Sequence, residues 1–280
     1  MQKTVYAKCS VERKEQYKII TRIFEEDGIR VVEKNAVSQK AKEHVERMAE
    51  FVKNSPYLTE NVALVPCEKV EDGKVRFPYI NGQRLDRVID EAVKTEDWDT
   101  VWKKIALLKD IIMNVKETED FQMTDTFKEM FGEVEGLSGY VSAKNVSFDM
   151  VASNIVLADK IYIMDYEWTF DFAVPLKYIL YRSILLNAAL YVISEEKKKT
   201  LMDMVSISEE ECEIFLQMEI AFQKYVTGVS LNNLYPDMPS KYTIVKEENY
   251  CNVPPQPSLP RRVVRKIKRI LTERNEKMAE

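Results

Sequence analysis

The sequence predicts an α+β protein in two lobes: a small antiparallel β-rich N-lobe and a larger, mainly helical C-lobe. Three observations predict it. VYAKCSV, YKIITRIF and IRVVEK are short runs rich in β-branched and aromatic side chains, parted by charged turns such as EEDG. After Asn81-Gly82 the apolar residues shift to a helical period. A chain of 280 residues can also bury the core that two lobes need.

The elements follow in order. After the three strand runs, Val37, Ala41, Val45, Met48, Phe51 and Val52 recur near the helical period, with Ser38 as a fitting N-cap. NVALVPCEKV and KVRFPYI read as two further strands joined at Asp72-Gly73, a hairpin signal. Residues 1–80 thus read β-β-β-α-β-β, and the stretch from Phe77 to Gly82 reads as a hinge. In residues 81–250, LDRVIDEAV and WDTVWKKIALLKDIIMNVKE are amphipathic helices and GEVEGLSG is a loop. VSFDMVASNIVL and KIYIMDYEW are strand-like and flank a loop; LKYILYRSILLNAALYVI and ISEEECEIFLQMEIAFQKYVTG are helices. Residues 251–280 form a third region, a proline-rich linker and then a helix with Val263, Val264, Ile267, Ile270 and Leu271 on one face and basic residues around it. That helix is either a solvated terminal helix or, through 261–271, an anchor on an anionic membrane surface.

Composition excludes several functions. A net charge of −5 argues against nucleic-acid binding. The cysteines form no CxxC pair, which suggests neither zinc nor a disulfide framework. The polar start MQKTVYAKCSVERKEQ is no signal peptide, and no run of ~18 apolar residues spans a membrane, so a cytoplasmic place is expected. The single histidine, His44, lies in a charged helical pattern and reads as a structural or surface residue. Acid–base and metal chemistry then falls to carboxylates.

The segment Asp149-Met-Val-Ala-Ser-Asn154, followed by Ile155-Val-Leu157 and Ile161-Tyr-Ile-Met-Asp165-Tyr-Glu167, carries such chemistry. Phosphoryl transfer from ATP needs a carboxylate to orient the attacking hydroxyl, and an amide oxygen and a second carboxylate to hold Mg2+ against the phosphates. Asp149 is the candidate catalytic base; Asn154 and Asp165 are the candidate metal ligands, hard oxygen donors suited to Mg2+. The apolar triplets between them bury a hairpin that aims both at one cation. Trp168, Phe170 and Phe172 read as core rather than as a sugar platform.

D-x-x-x-x-N followed by I-x-x-D-x-E resembles the catalytic region of the protein-kinase-like superfamily. It is closer to small-molecule and glycan kinases (choline-kinase, aminoglycoside-phosphotransferase and lipopolysaccharide-kinase relatives) than to protein kinases. IMDYEWTFDFAVPLKYILYR also resembles kinase-like domains found beside bacterial glycosyltransferases and methyltransferases in surface-polysaccharide biosynthesis. The resemblance implies a protein-kinase-like fold, ATP and Mg2+ as cofactors and a sugar, glycan or other small-molecule acceptor. It also implies a glycosyltransferase or methyltransferase partner; a place on the inner face of the membrane would follow instead from the basic helix over 261–271. The resemblance makes Lys34 the strand lysine on the phosphates, Glu46 or Glu43 its helix partner, and the backbone of Phe77, Tyr79 and Ile80 the adenine contact. The chain departs from the protein-kinase pattern at Ser147 and Val151, and no G-x-G-x-x-G lies near the first two strands. These departures keep a second reading open, a pseudokinase or nucleotide-binding scaffold in a polysaccharide-assembly complex. A helical interaction module without a nucleotide site is a third.

Overall fold

The computed structural model describes residues 3–228 apart from Asn54 and Leu58. The proline-rich linker and basic helix expected over 251–280 lie outside the described residues. The elements are β1 (Lys3–Cys9), β2 (Ile19–Glu26), β3 (Ile29–Ala36), α1 (Lys42–Phe51), β4 (Val62–Leu64), β5 (Glu68–Glu71), β6 (Lys74–Pro78), β7 (Gln83–Arg84), α2 (Leu85–Lys94), α3 (Trp98–Met113), β8 (Glu119–Asp120), α4 (Asp125–Phe131), β9 (Val141–Ala143), β10 (Ile155–Leu157), β11 (Ile161–Ile163), β12 (Val174–Pro175), α5 (Leu176–Leu185), α6 (Glu195–Val205) and α7 (Glu209–Thr227). The fold is α+β, with an N-terminal antiparallel sheet and a helical remainder, as the sequence predicts. Among the described residues no helix is long and apolar enough to cross a membrane.

The N-terminal sheet has the order β1-β2-β3-β6-β5. Asp27 and Gly28, both at positive φ, turn β2 into β3, and the pairing Thr21↔Lys34 puts Lys34 on the face that α1 covers. The opposite face is closed by charge: Glu33, 1% exposed, takes Arg22 and Arg76 at 3.0 Å each, and Arg76 lies over Phe24. α1 starts later than the periodicity suggests. Ser38 caps a short 3-10 turn over Gln39–Ala41 with no side-chain cap bond, and the α-helix begins at Lys42.

NVALVPCEKV, read as one strand, is two. Pro66 ends the first, since it has no N–H to continue a ladder. β4 leaves the N-terminal sheet and pairs in parallel with β11 (Val62↔Ile161, Leu64↔Ile163), while β5 returns to pair with β6. β7, just past the hinge, pairs with β10. The resulting sheet, β4-β11-β10-β7, carries the Ile155–Ile163 hairpin. The long apolar helix expected from Leu176 stops at Leu185, and a 3-10 turn over Ala189–Tyr191 follows. α6 was not anticipated: Ser194 caps it, but its run of charged residues shows little apolar period.

The C-terminal core is aromatic. Phe131, fully buried, meets Phe127, Phe148, Phe170, Tyr178 and Phe222 with ring centroids 4.9–5.7 Å apart. Trp168, Phe170 and Phe172 are 5–6% exposed, so they are core as the alternation suggested. At the hinge, a Cβ on Gly82 would come within 2.5 Å of the Leu157 carbonyl oxygen and 2.7 Å of Val156 Cγ1. Gly82→Ala is therefore expected to lower the urea midpoint of unfolding, by about 1–3 kcal/mol of stability as an overpacked contact; an unchanged midpoint would show that β7 and β10 can move apart freely.

Candidate active site

The chain between β9 and β12 turns back on itself. Asn145 N–H donates to Phe170 O and Phe148 N–H to Trp168 O, both at 2.8 Å, and Ser147 bridges Thr169. This pins the segment before Asp149 against the segment after Glu167. Between them, a 3-10 turn over Ala152–Asn154 leads into the β10–β11 hairpin, and Met164 N–H donates to Asn154 O at 2.9 Å. The hairpin thereby returns Asp165 beside Asn154. Asp165 has φ +60°, a left-handed conformation that Asp tolerates better than most residues.

Asp149 is held from behind. Asn154 Nδ2 donates to its backbone oxygen at 3.0 Å and to Oδ2 at 3.1 Å, while Arg182 Nη1 of α5 donates to Oδ1. Arg182 is itself 4% exposed, with Nε 3.0 Å from Glu219 Oε2 of α7 and its guanidinium 4.6 Å from the Phe148 ring centroid. Tyr178 and Gln223 complete the shell of Glu219 at 3.2 and 2.8 Å. Burial works against the charge on Arg182, but Glu219 and then Asp149 outweigh it and raise its pKa.

Lys34, 4% exposed, reaches the same place from β3. Its Nζ donates to Asp165 Oδ1 and, at 3.2 Å, to Glu167 Oε2. Burial lowers its pKa, but Asp165 and Glu167 more than reverse that and hold it above the ordinary lysine value. Arg13, on the connection between β1 and β2, closes the other side of Glu167 at 2.6 Å. Burial favours a neutral Glu167, yet Arg13 and Lys34 hold its carboxyl well below the ordinary range.

The expected pairing of Lys34 with a glutamate of α1 is corrected. Glu46 accepts from Gly73 N–H at 2.7 Å and pairs with Lys69 at 2.8 Å, and Glu43, 86% exposed, pairs with Arg47. The reason is helical phase. The inward face of α1 is His44, Val45, Met48 and Phe51, and both glutamates fall off it. His44 stands against Trp168 (4.6 Å between ring centroids) and Tyr17 (5.1 Å), with Nε2 buried and without a hydrogen bond. At the hinge, Phe77 is buried against the Tyr166 ring, Tyr79 lies under Arg30 and donates its N–H to Arg30 O, and Ile80 is half-buried.

The structure thus gathers Asp149, Asn154, Asp165 and Lys34, and leaves Glu43 and Glu46 outside. Three charged members were not singled out from the sequence: Arg13, Arg182 and Glu219. Arg182 and Glu219 had a signal, since each is a lone charge within an apolar helical run, YILYRSILL and LQMEIAF. Arg13 had none in its charged loop. For Mg2+ the donor set fits. With Nδ2 turned to Asp149, Asn154 keeps its Oδ1, and with Oδ1 turned to Lys34, Asp165 keeps its Oδ2. Two hard oxygens suit an ion that takes its remaining ligands from phosphate and water. Among the described residues no three His, Cys, Asp or Glu side chains group to cage a metal on their own.

No family profile and no curated protein matches the chain. Solved structures do. Choline kinase LicA from Streptococcus pneumoniae is 11% identical, with 89% of each chain covered and a TM-score of 0.43. LicA in complex with AMP is 13% identical, covering 95% of this chain and 92% of that one, with a TM-score of 0.46. Spectinomycin phosphotransferase APH(9)-Ia, in complex with ADP and spectinomycin, is 9% identical, covering 96% and 88%, with a TM-score of 0.41. These structure neighbours are small-molecule kinases, the class the sequence resembles.

Two outcomes follow from the buried charges. Burial pushes the His44 pKa down to about 4, against about 6.5 in an unfolded chain. The unfolded state then binds the extra proton between these values. Stability is therefore full above about pH 6.5 and falls as pH drops toward 4, by up to about 1.4 kcal/mol per pH unit. Urea midpoints at pH 7.5 and 5 should differ less in His44→Phe than in the wild type. Arg182→Met leaves Glu219, which is fully buried, without its cation; a loss of about 3–5 kcal/mol is expected in chemical denaturation.

Proposed function

We propose that the chain is an ATP- and Mg2+-dependent phosphotransferase that acts on a hydroxyl of a sugar, glycan or other small molecule. The observation that supports this reading is the junction of Asn154 with Asp149 and of Lys34 with Asp165, joined by the Met164–Asn154 backbone bond. In this reading the Asp149 carboxylate accepts the hydrogen of the acceptor hydroxyl and aims its oxygen at the phosphoryl group. Arg182 and Asn154 fix the orientation of that carboxylate, and Lys34 steadies the phosphates. Asn154 and Asp165 would hold Mg2+, which when bound offsets the negative charge on the transferred group. With the Tyr79 N–H engaged by Arg30, the Tyr79 carbonyl and the Ile80 N–H are the hinge groups left for adenine.

The acceptor class follows the sequence resemblance, as does a place in surface-polysaccharide assembly beside a glycosyltransferase or methyltransferase. One observation favours the second reading, a nucleotide-binding scaffold without turnover. The β1–β2 connection, Ser10 to Lys18, has no glycine, and its Arg13 lies on Glu167 rather than free for a phosphate.

The test is ATP consumption across a panel of hydroxyl acceptors. Wild type is expected to turn over ATP with at least one of them, and Asp165→Ala to lose that turnover while keeping its circular-dichroism spectrum. Full activity in Asp165→Ala would sink the phosphotransferase reading. ATP binding with no turnover on any acceptor would favour the scaffold.

A further inference from the structure

The buried lysine of β3 has a carboxylate partner that α1 does not supply. Lys34 is 4% exposed, and a buried ammonium needs an opposite charge that stays with it. Asp165 is one partner, through Oδ1, but its side chain is 42% exposed. Glu167 is the other. It is 6% exposed, its Oε2 is 3.2 Å from Lys34 Nζ, and its Oε1 is 2.6 Å from Arg13. The four groups form a row of alternating sign: Arg13, Glu167, Lys34, Asp165. The inward polar residue of α1 at this place is His44, packed on Trp168 and Tyr17, and it offers no negative charge. Glu46 is committed to Lys69 and the Gly73 N–H.

We propose that Glu167, clamped by Arg13, is the carboxylate that positions Lys34 for the nucleotide's phosphates. This rests on the phosphotransferase reading above and extends it to two residues. The geometry gives each a distinct part. When Asp165 turns its carboxylate to a cation, Glu167 remains on Lys34 and keeps the ammonium in place. Arg13 balances the second oxygen of Glu167, so that the carboxylate does not swing away from Lys34. Arg13 also ties this row to the first two strands. Lys14 N–H donates to Val226 O at 2.8 Å and the Tyr17 hydroxyl bonds that of Tyr225 at 2.8 Å, so the β1–β2 connection is docked on α7. The clamp is therefore held at both ends, by β3 on one side and by the end of α7 on the other.

The experiment is calorimetric titration of ATP into the full chain, once with Mg2+ and once with a chelator. It compares wild type, Glu167→Gln, Glu167→Asp, Arg13→Gln and Glu46→Gln. Glu167→Gln is expected to weaken ATP binding about tenfold in both conditions, the loss of one charge-assisted contact. Glu167→Asp should recover part of that, and Arg13→Gln should weaken binding about threefold, by the indirect route of a loosened carboxylate. Persistence of the defect in chelator separates positioning of Lys34 from loss of a metal ligand. If Glu167→Gln does not fold, Arg13→Gln against Glu46→Gln decides, since both side chains reach solvent. A Glu46→Gln defect equal to or larger than those of the Glu167 and Arg13 variants overturns the proposal, as does a Glu167→Gln defect that vanishes in chelator. A wild type that binds no ATP in either condition overturns the phosphotransferase reading itself.

Discussion

A buried ammonium group governs the architecture of this site. Lys34 sits on an N-terminal strand, yet both carboxylates that accommodate it, Asp165 and Glu167, come from the segment that follows the β10–β11 hairpin. Leaving a lysine at 4% exposure unpaired would cost several kcal/mol, so the sheet cannot retain this residue inward without the hairpin beneath it. The same need draws in Arg13, because two carboxylates on one lysine carry an excess of negative charge. A buried ion pair of this kind is poor evidence of stability, since an apolar pair of equal volume often serves as well.

A second buried charge stands behind the first. Arg182 lies inside the helical core with Glu219 at its back, and its Nη1 donates to Asp149. Phe148 and Phe222 cover the guanidinium at 4.6 and 5.6 Å, which keeps water from competing with those bonds. Asp149 is thus oriented by a guanidinium from the core and an amide from Asn154, leaving little rotational freedom. Side chains presented by packed helices and a short hairpin are held more firmly than side chains on loops.

Much of this was legible in the sequence. The α+β class with its N-terminal antiparallel sheet, Lys34 near the end of the third strand, the β10–β11 hairpin and the burial of Trp168, Phe170 and Phe172 all follow from alternation, helical period and turn residues. Asp149, Asn154 and Asp165 were legible because oxygen side chains interrupting apolar runs are costly to place without a partner or a task. What could not be read was phase and long-range pairing. Glu43 and Glu46 differ from His44 by small steps along one helix, and only the rotation of α1 against the sheet settles which of them faces Lys34. Arg13 lies far from Glu167 in sequence, within the charged run Glu12-Arg13-Lys14-Glu15, and nothing local marks it. The break of NVALVPCEKV at Pro66 was available as a signal, but which sheet each half would join was not.

That break has a consequence for how the two halves of the molecule relate. Before the chain reaches the hinge it has already left the N-terminal sheet, laid β4 beside β11, and gone back. Neither half is therefore a continuous stretch of sequence. A scission near Gly82 would strand β4 on the wrong fragment and strip the edge from the sheet that carries Asn154 and Asp165. Dissecting this protein into separately expressed halves should fail for topological reasons, whatever the strength of the contacts between them.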